Sequence, residues 1–171
     1  LRQEAATDPC KSSWFEIIKK RADSLLTKQP QEYKIVNSRL LDVANEAISR
    51  TGALGMAWQL TGDRVYAERC LAEIEKYCAY PDWHPAHCLD TGTMALAVAV
   101  GYDWIYETIP EERRQSLMER AKNLGLEPAR AAYYGKAAFN AFWTKTETNW
   151  GAVVNAGFLN LALAIAELEP D

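Results

Sequence analysis

The sequence predicts an all-α fold. Apolar residues recur at spacings of three and four, alternating stretches are almost absent, and glycine and proline mark the joints between the periodic segments. With 171 residues, 49% of them hydrophobic, the chain reads as one helical domain over 1–171 able to bury a real core.

The first helix is expected over 13–28, with Trp14, Ile17, Ile18, Arg21 and Leu25 on one side and Pro30 as a stop. A second covers 38–60 and ends at Thr61-Gly62-Asp63, where Gly62 suits a C-cap and Asp63 can N-cap a third helix over 64–78. These two form a helical hairpin. A loop over 79–88 leads to a fourth helix over 90–107, and Pro110 with Glu111 and Glu112 opens a fifth. Gly125 and Pro128 are read as breaks, followed by a short helix over 129–134 and a final one over 148–169.

Three segments share the form Gly-x-[Leu/Met]-x-x-Ala: Gly52 to Ala57, Gly92 to Ala97 and Gly157 to Ala162. Small residues at matched places let helices approach closely, so these three are expected to form an inner layer of stacked antiparallel hairpins with the intervening helices outside. The 40- and 65-residue spacings are too irregular for a strict tetratricopeptide array. Because the very apolar last helix is followed only by Glu169-Pro170-Asp171, the pattern reads as the opening part of a larger fold.

Nineteen basic against 23 acidic residues, net charge −4 and no basic run offer no electrostatic footprint for nucleic acid or an acidic membrane surface. The apolar runs over 94–100 and 158–166 fall short of the roughly 18 residues a bilayer span needs, so no membrane insertion is expected. Residue 1 is Leu and no signal-peptide pattern opens the sequence, so any export signal is expected to lie outside it. Cys10, Cys70, Cys78 and Cys88 are too few and too scattered for a disulfide framework. Cys70 and Cys78, eight residues apart on one helix and so roughly 12 Å along its axis, are expected to be buried free thiols.

Two stretches carry candidate chemistry. Residues 77–92 hold both histidines, His84 and His87, beside Asp82, Trp83, Cys78 and Cys88. Three readings stand: a zinc site from Cys78, His84, His87 and Cys88; His87 and Asp90 capping the fourth helix with Trp83 packed under the loop; or a loop facing a ligand, with histidine as acid, base or anion donor. In the second stretch Thr146 and Thr148 are candidate N-caps, which places Asn149 and Trp150 in a first turn whose free amides favour an anion. Against that stands a packing role: Asn149 as a cap, Trp150 against Phe142 and Trp143, and Asn155 and Asn160 bonded to neighbouring helices. Trp83, Trp104, Trp143, Trp150, Tyr133 and Tyr134 supply aromatic platforms suited to sugar rings. There is no nucleophile elbow, glycine-rich phosphate loop or HExxH motif, and Asp82, Asp90 and Asp103 have no distinguishing context.

Residues 80–115, "YPDWHPAHCLDTGTMALAVAVGYDWIYETIPEERRQ", and 148–167, "TNWGAVVNAGFLNLALAIAE", resemble the N-terminal helical domain of heparinase II/III-like polysaccharide lyases, alginate and oligoalginate lyases included; residues 40–77 fit the same domain in the same order. The resemblance implies an incomplete α/α toroid whose inner helices line a cleft. It implies cleavage of an acidic, uronate-containing polysaccharide or oligosaccharide by β-elimination, in the periplasm or outside the cell, with no cofactor. Asn149 matches the asparagine that neutralises the uronate carboxylate, and Trp150, His87, Trp83, His84 and Tyr134 are implied to bind substrate. Trp150 stands where some members have histidine, and His84 where many have asparagine. The tyrosine that serves as acid or base in the family is expected beyond Asp171, so this part alone should bind without turnover. The rival reading is a noncatalytic helical-repeat module that binds a peptide or glycan on a concave face.

Overall fold

The computed structural model describes residues 7–167, whose regular structure is helical apart from an isolated bridge between Val36 and Arg39. Helix α1 is Pro9–Leu26, α2 Leu41–Thr61, α3 Arg64–Cys78, α4 Cys88–Ile105, α5 Glu111–Ala121, α6 Glu127–Tyr133 and α7 Asn149–Ile165. Short 3-10 turns occupy Tyr106–Thr108 and Phe142–Lys145. None of these helices is long and apolar enough to cross a membrane.

Several boundaries differ from the sequence expectation, each for a local reason. Helix α1 starts four residues early because the Asp8 carboxylate accepts from Cys10 N and Lys11 N, and Pro9 fills a first-turn position that has no use for an amide hydrogen. Helix α2 starts late, at Leu41, because Asn37 and Ser38 take positive φ angles of 50° and 58° in a tight turn closed by Val36 and Arg39. Gly125 and Pro128 do not break the fifth helix. A π-helical segment, Lys122–Leu126, carries it into α6, with Gly125 packed against Trp83 and Leu161 and Pro128 in the first turn of α6. Of the expected last helix, residues 168 and 169 lie outside the described part of the chain.

Helices α2, α4 and α7 lie side by side in one row, with α4 in the middle and the most extensive interfaces on either side of it. They run parallel. Between α2 and α4, Leu40 meets Asp90, Thr51 meets Gly101 and Gly55 meets Trp104. Between α4 and α7, Gly92 meets Val154 and Gly157, and Tyr106 at the far end bonds Glu167. Their N-termini therefore gather at one end of the row and their C-termini at the other. Helix α1 packs on α2 and α3, α3 packs on α2 and α4, and the π segment covers α7 and α4. The fully buried residues between these elements include Leu25, Leu54, Ile74, Tyr77, Trp83, Met94, Tyr102, Ile105 and Leu161.

Glycine makes the row possible. A Cβ at Gly157 would fall inside the Gly92 carbonyl, and one at Gly92 would sit 2.9 Å from Val154 Cα. Of the three glycines in the repeated pattern, Gly92 and Gly157 do the predicted work, whereas Gly52 has open space around it. Its role at the α2–α4 contact falls to Gly55 and Gly101, whose added Cβ atoms would meet Trp104 and Thr51 at 2.9 Å.

The connection from α1 to α2 is tied down by a buried carboxylate. Glu73, fully buried, takes Arg50 at 2.9 Å, Arg69 at 2.6 Å and the Gln31 amide at 3.1 Å. Arg69 also donates to the Leu25 and Lys28 carbonyls, and Arg50 to that of Gln29. With both cations present the carboxylate has the partners that burial demands. The segment so held delivers Tyr33 and Leu40 to the loop before α4.

The glycine assignments are tested by a pair of substitutions. Gly157→Ala should lower unfolding stability by about 1–3 kcal/mol through overpacking. Gly52→Ala, mid-helix with free space, should raise it by roughly 0.5–1 kcal/mol. Urea unfolding of the two variants measures both signs.

Candidate functional site

The N-terminal ends of α2, α4 and α7 meet around one carboxylate. Asp90, in the first turn of α4, is fully buried, and both its oxygens are engaged. Oδ1 lies 2.6 Å from His87 Nδ1, while Oδ2 lies 2.7 Å from His84 Nδ1 and accepts the Leu40 amide at 2.7 Å. A carboxylate only accepts, so each histidine presents a protonated Nδ1 to it. The Nε2 atoms are left for other partners, and that of His87 is buried without one.

The loop that carries the histidines is built to hold this geometry. His84 takes a left-handed conformation, φ 56°, unusual for a residue with a side chain. Its amide is fixed by Asp82 Oδ1 at 2.9 Å, which also accepts the Tyr33 hydroxyl at 2.9 Å. Burial and the adjacent Asp82 push the Tyr33 hydroxyl up to about 12, so it remains a donor. His87 N donates to His84 O at 3.0 Å, closing the turn. Beneath it Trp83 is fully buried, donating from Nε1 to Tyr77 O at 3.0 Å, and its own carbonyl accepts the Thr91 hydroxyl at 2.8 Å. Trp83 therefore supports the loop from inside and has no face open to a sugar ring.

Helix α7 brings its first turn to the same place. The Trp150 ring stands edge-on to His87 and tilted to Phe142, with centroids 5.3 Å away in both cases. Asn149, the first helical residue, is exposed beside it. Thr148 is the N-cap residue, but its hydroxyl bonds Thr146 at 3.1 Å and makes no capping bond, and no acidic residue occupies the first turn of α7. The nearest acidic residue in sequence, Glu147, stands just before the N-cap, outside the first turn.

Of the six residues singled out from sequence, His84, His87 and Trp150 form one cluster with Asn149 at its edge, and Trp83 lies under it. Tyr134 stands apart: it is 69% exposed, its ring faces Arg130 at 5.9 Å, and among the described residues no hydrogen bond or ring contact links it to either histidine. Capping of α4 differs from the expectation. His87 is the N-cap residue, but its side chain makes no capping bond and instead holds Asp90, which reaches across to α2. Asn155 bonds the Tyr133 hydroxyl, a neighbouring helix as expected, whereas Asn160 bonds Ala156 O in its own helix.

A zinc site from Cys78, His84, His87 and Cys88 does not assemble. Both histidines spend Nδ1 on Asp90, and Cys78, its thiol pushed up to about 12 by burial, faces the Leu117 carbonyl. Among the described residues no group of three or more His, Cys, Asp and Glu side chains could hold a metal ion. Cys70 and Cys78 are buried free thiols, as expected.

Sequence reasoning named Asp90 only as a helix cap and missed that it holds both histidines and the start of α2. The signal was the three-residue spacing His84, His87, Asp90, which places the three side chains together across a turn and a helix start. No protein-family model matches the sequence, and comparison with the curated proteins returns no match.

The clamp makes a spectroscopic prediction. Long-range 1H–15N correlations of the two imidazoles should show protonated Nδ1 in both; Nε2-only tautomers in the native protein would contradict the assignment. In Asp90→Asn the amide offers a donor where one acceptor stood, so at least one imidazole should change its pattern, with a stability loss of about 1–3 kcal/mol.

Proposed function

We propose that this chain is the N-terminal toroid portion of a heparinase II/III-like polysaccharide lyase, periplasmic or secreted, and that the end holding Asn149 helps bind a uronate-containing polysaccharide. The observation that carries the reading is the exposed Asn149 amide at a helix N-terminus whose first turn holds no acidic residue, flanked by Trp150 and the clamped His87. Proton abstraction next to a carboxylate builds enediolate charge on that group, and donors already in place lower the energy of that state most. The Asn149 side chain can donate without a charge of its own, and the first-turn amides of α7 add to it. Trp150 offers an aromatic ring to a sugar, and His84 offers Nε2 to its hydroxyls. The parallel row of α2, α4 and α7, with α3 packed against α2 and α4, supports an inner and outer arrangement of the toroid kind.

Binding is tested on the chain itself. In a titration of 15N-labelled protein, oligosaccharides of alginate, heparin or chondroitin should shift Asn149, Trp150, His84 and His87, while a neutral glucan of equal length should not. Asn149→Ala should weaken the strongest of these by about tenfold with the fold intact. Equal response to the neutral glucan, or unchanged affinity in the variant, would overturn the site. A noncatalytic glycan-binding module would pass this test, so the protein encoded by the full reading frame should also be assayed for the ultraviolet absorbance of an unsaturated uronate, which only the lyase produces.

A further inference from the structure

The opposite end of the row carries a second cleft with the reverse chemistry. It has a volume of about 340 Å³, and its walls come from the last turns of the three parallel helices: Trp58 and Gln59 of α2, Tyr102, Asp103 and Trp104 of α4, and Leu163 of α7. Tyr106, Glu107 and Glu167 complete it. Three properties coincide there. Four aromatic rings and three carboxylates line the cleft, and no lysine, arginine or histidine is among its lining residues. The C-termini of α2, α4 and α7 all point toward it, and none of the three has a basic residue in its last turn, where one would offset the negative end of the dipole. A guanidinium already sits on one of the rings: Arg114 lies over Tyr106, 4.4 Å from its centroid, which shows that this aromatic face suits a cation.

From these we infer that the cleft binds a small organic ammonium ion, primary or quaternary, with the indoles of Trp58 and Trp104 against its apolar groups and Asp103 and Glu107 close to its charge. An anion, including the uronate proposed for the other end, meets three carboxylates among the lining residues, with the Arg114 guanidinium already held over Tyr106. A neutral sugar can donate hydroxyls to the helix-end carbonyls but brings no charge to offset the negative ends of three helices. The volume suits a ligand of small-molecule size. A neighbouring hollow of about 280 Å³, which shares Asp103, Trp104, Leu163 and Ala164 with the cleft, extends it along α4 and α7 and leaves room for an alkyl chain.

The probe is choline, with its uncharged isostere 3,3-dimethylbutan-1-ol as control. Choline should shift the indole N–H signals of Trp58 and Trp104 saturably, and the isostere should bind at least about fivefold more weakly. Trp104 packs on Gly55, so its replacement risks the helix contact; Glu107→Gln and Asp103→Asn, both on exposed residues, avoid that risk and should together weaken choline by about fivefold or more. Equal binding of the isostere, no indole response to choline, or an affinity unchanged in the double variant would each overturn the inference. So would tighter binding of a neutral disaccharide than of choline at the same indoles.

Discussion

The contact of Gly92 with Gly157 is the constraint from which the arrangement of both ends follows. Two helix backbones touch there, because a Cβ on either glycine would meet main-chain atoms of the other helix. Backbone cannot yield as a side chain can, so the crossing point of α4 and α7 is fixed within a narrow range. That point lies five residues beyond His87 and seven beyond Trp150, which sets the two first turns beside each other and brings the rings of His87 and Trp150 within 5.3 Å. On the other side of α4, Gly101 against Thr51 and Gly55 against Trp104 set α2 in the same direction. Close packing at small residues thus aligns three helices that are far apart in sequence.

Parallel alignment has an electrostatic consequence that antiparallel packing would cancel. Three positive helix ends gather where Asp90, His84, His87 and Asn149 stand, and three negative ends gather around Trp58, Trp104 and Glu107. At the first end the chain supplies one buried anion, Asp90, which accepts from the start of α2 while sitting in the first turn of α4. The first turn of α7 holds no acidic residue. At the second end it adds carboxylates of its own to a region already negative. The molecule therefore neutralises some helix ends internally and leaves others open, and the open ones are where a ligand charge gains most.

Much of this was legible in the sequence, and the gaps have physical causes. Helix class, the α3 boundaries and the start of α7 followed from periodicity and from Gly62, Asp63 and Thr148, because each is a local signal read within a few residues. The late start of α2 was hidden because Asn37 and Ser38 tolerate both helical and left-handed backbone, and the choice between them is made by a Leu40 amide bonded to Asp90, 50 residues on. Gly125 looked like a terminator by propensity, yet between Trp83 and Leu161 the absence of a side chain is what lets a wide π turn pack. Asp90 looked ordinary because an aspartate in a first helical turn needs no other explanation. Only the folded chain shows its second oxygen committed to a different helix.

Trp83 illustrates why residue type alone misjudges a site. A tryptophan beside two histidines suggests a sugar platform, but Trp83 is fully buried and its indole N–H is spent on Tyr77 at the end of α3. Its backbone carbonyl, held by Thr91, sets the position from which the chain turns through the left-handed His84 toward Asp90. Its ring leans on Gly125 of the π segment, which also meets Leu161 of α7. One buried ring thus ties together the histidine loop, the segment behind it and the helix that carries Asn149 and Trp150. The exposed groups that could touch a ligand are few, and their mutual positions are set by groups that never could.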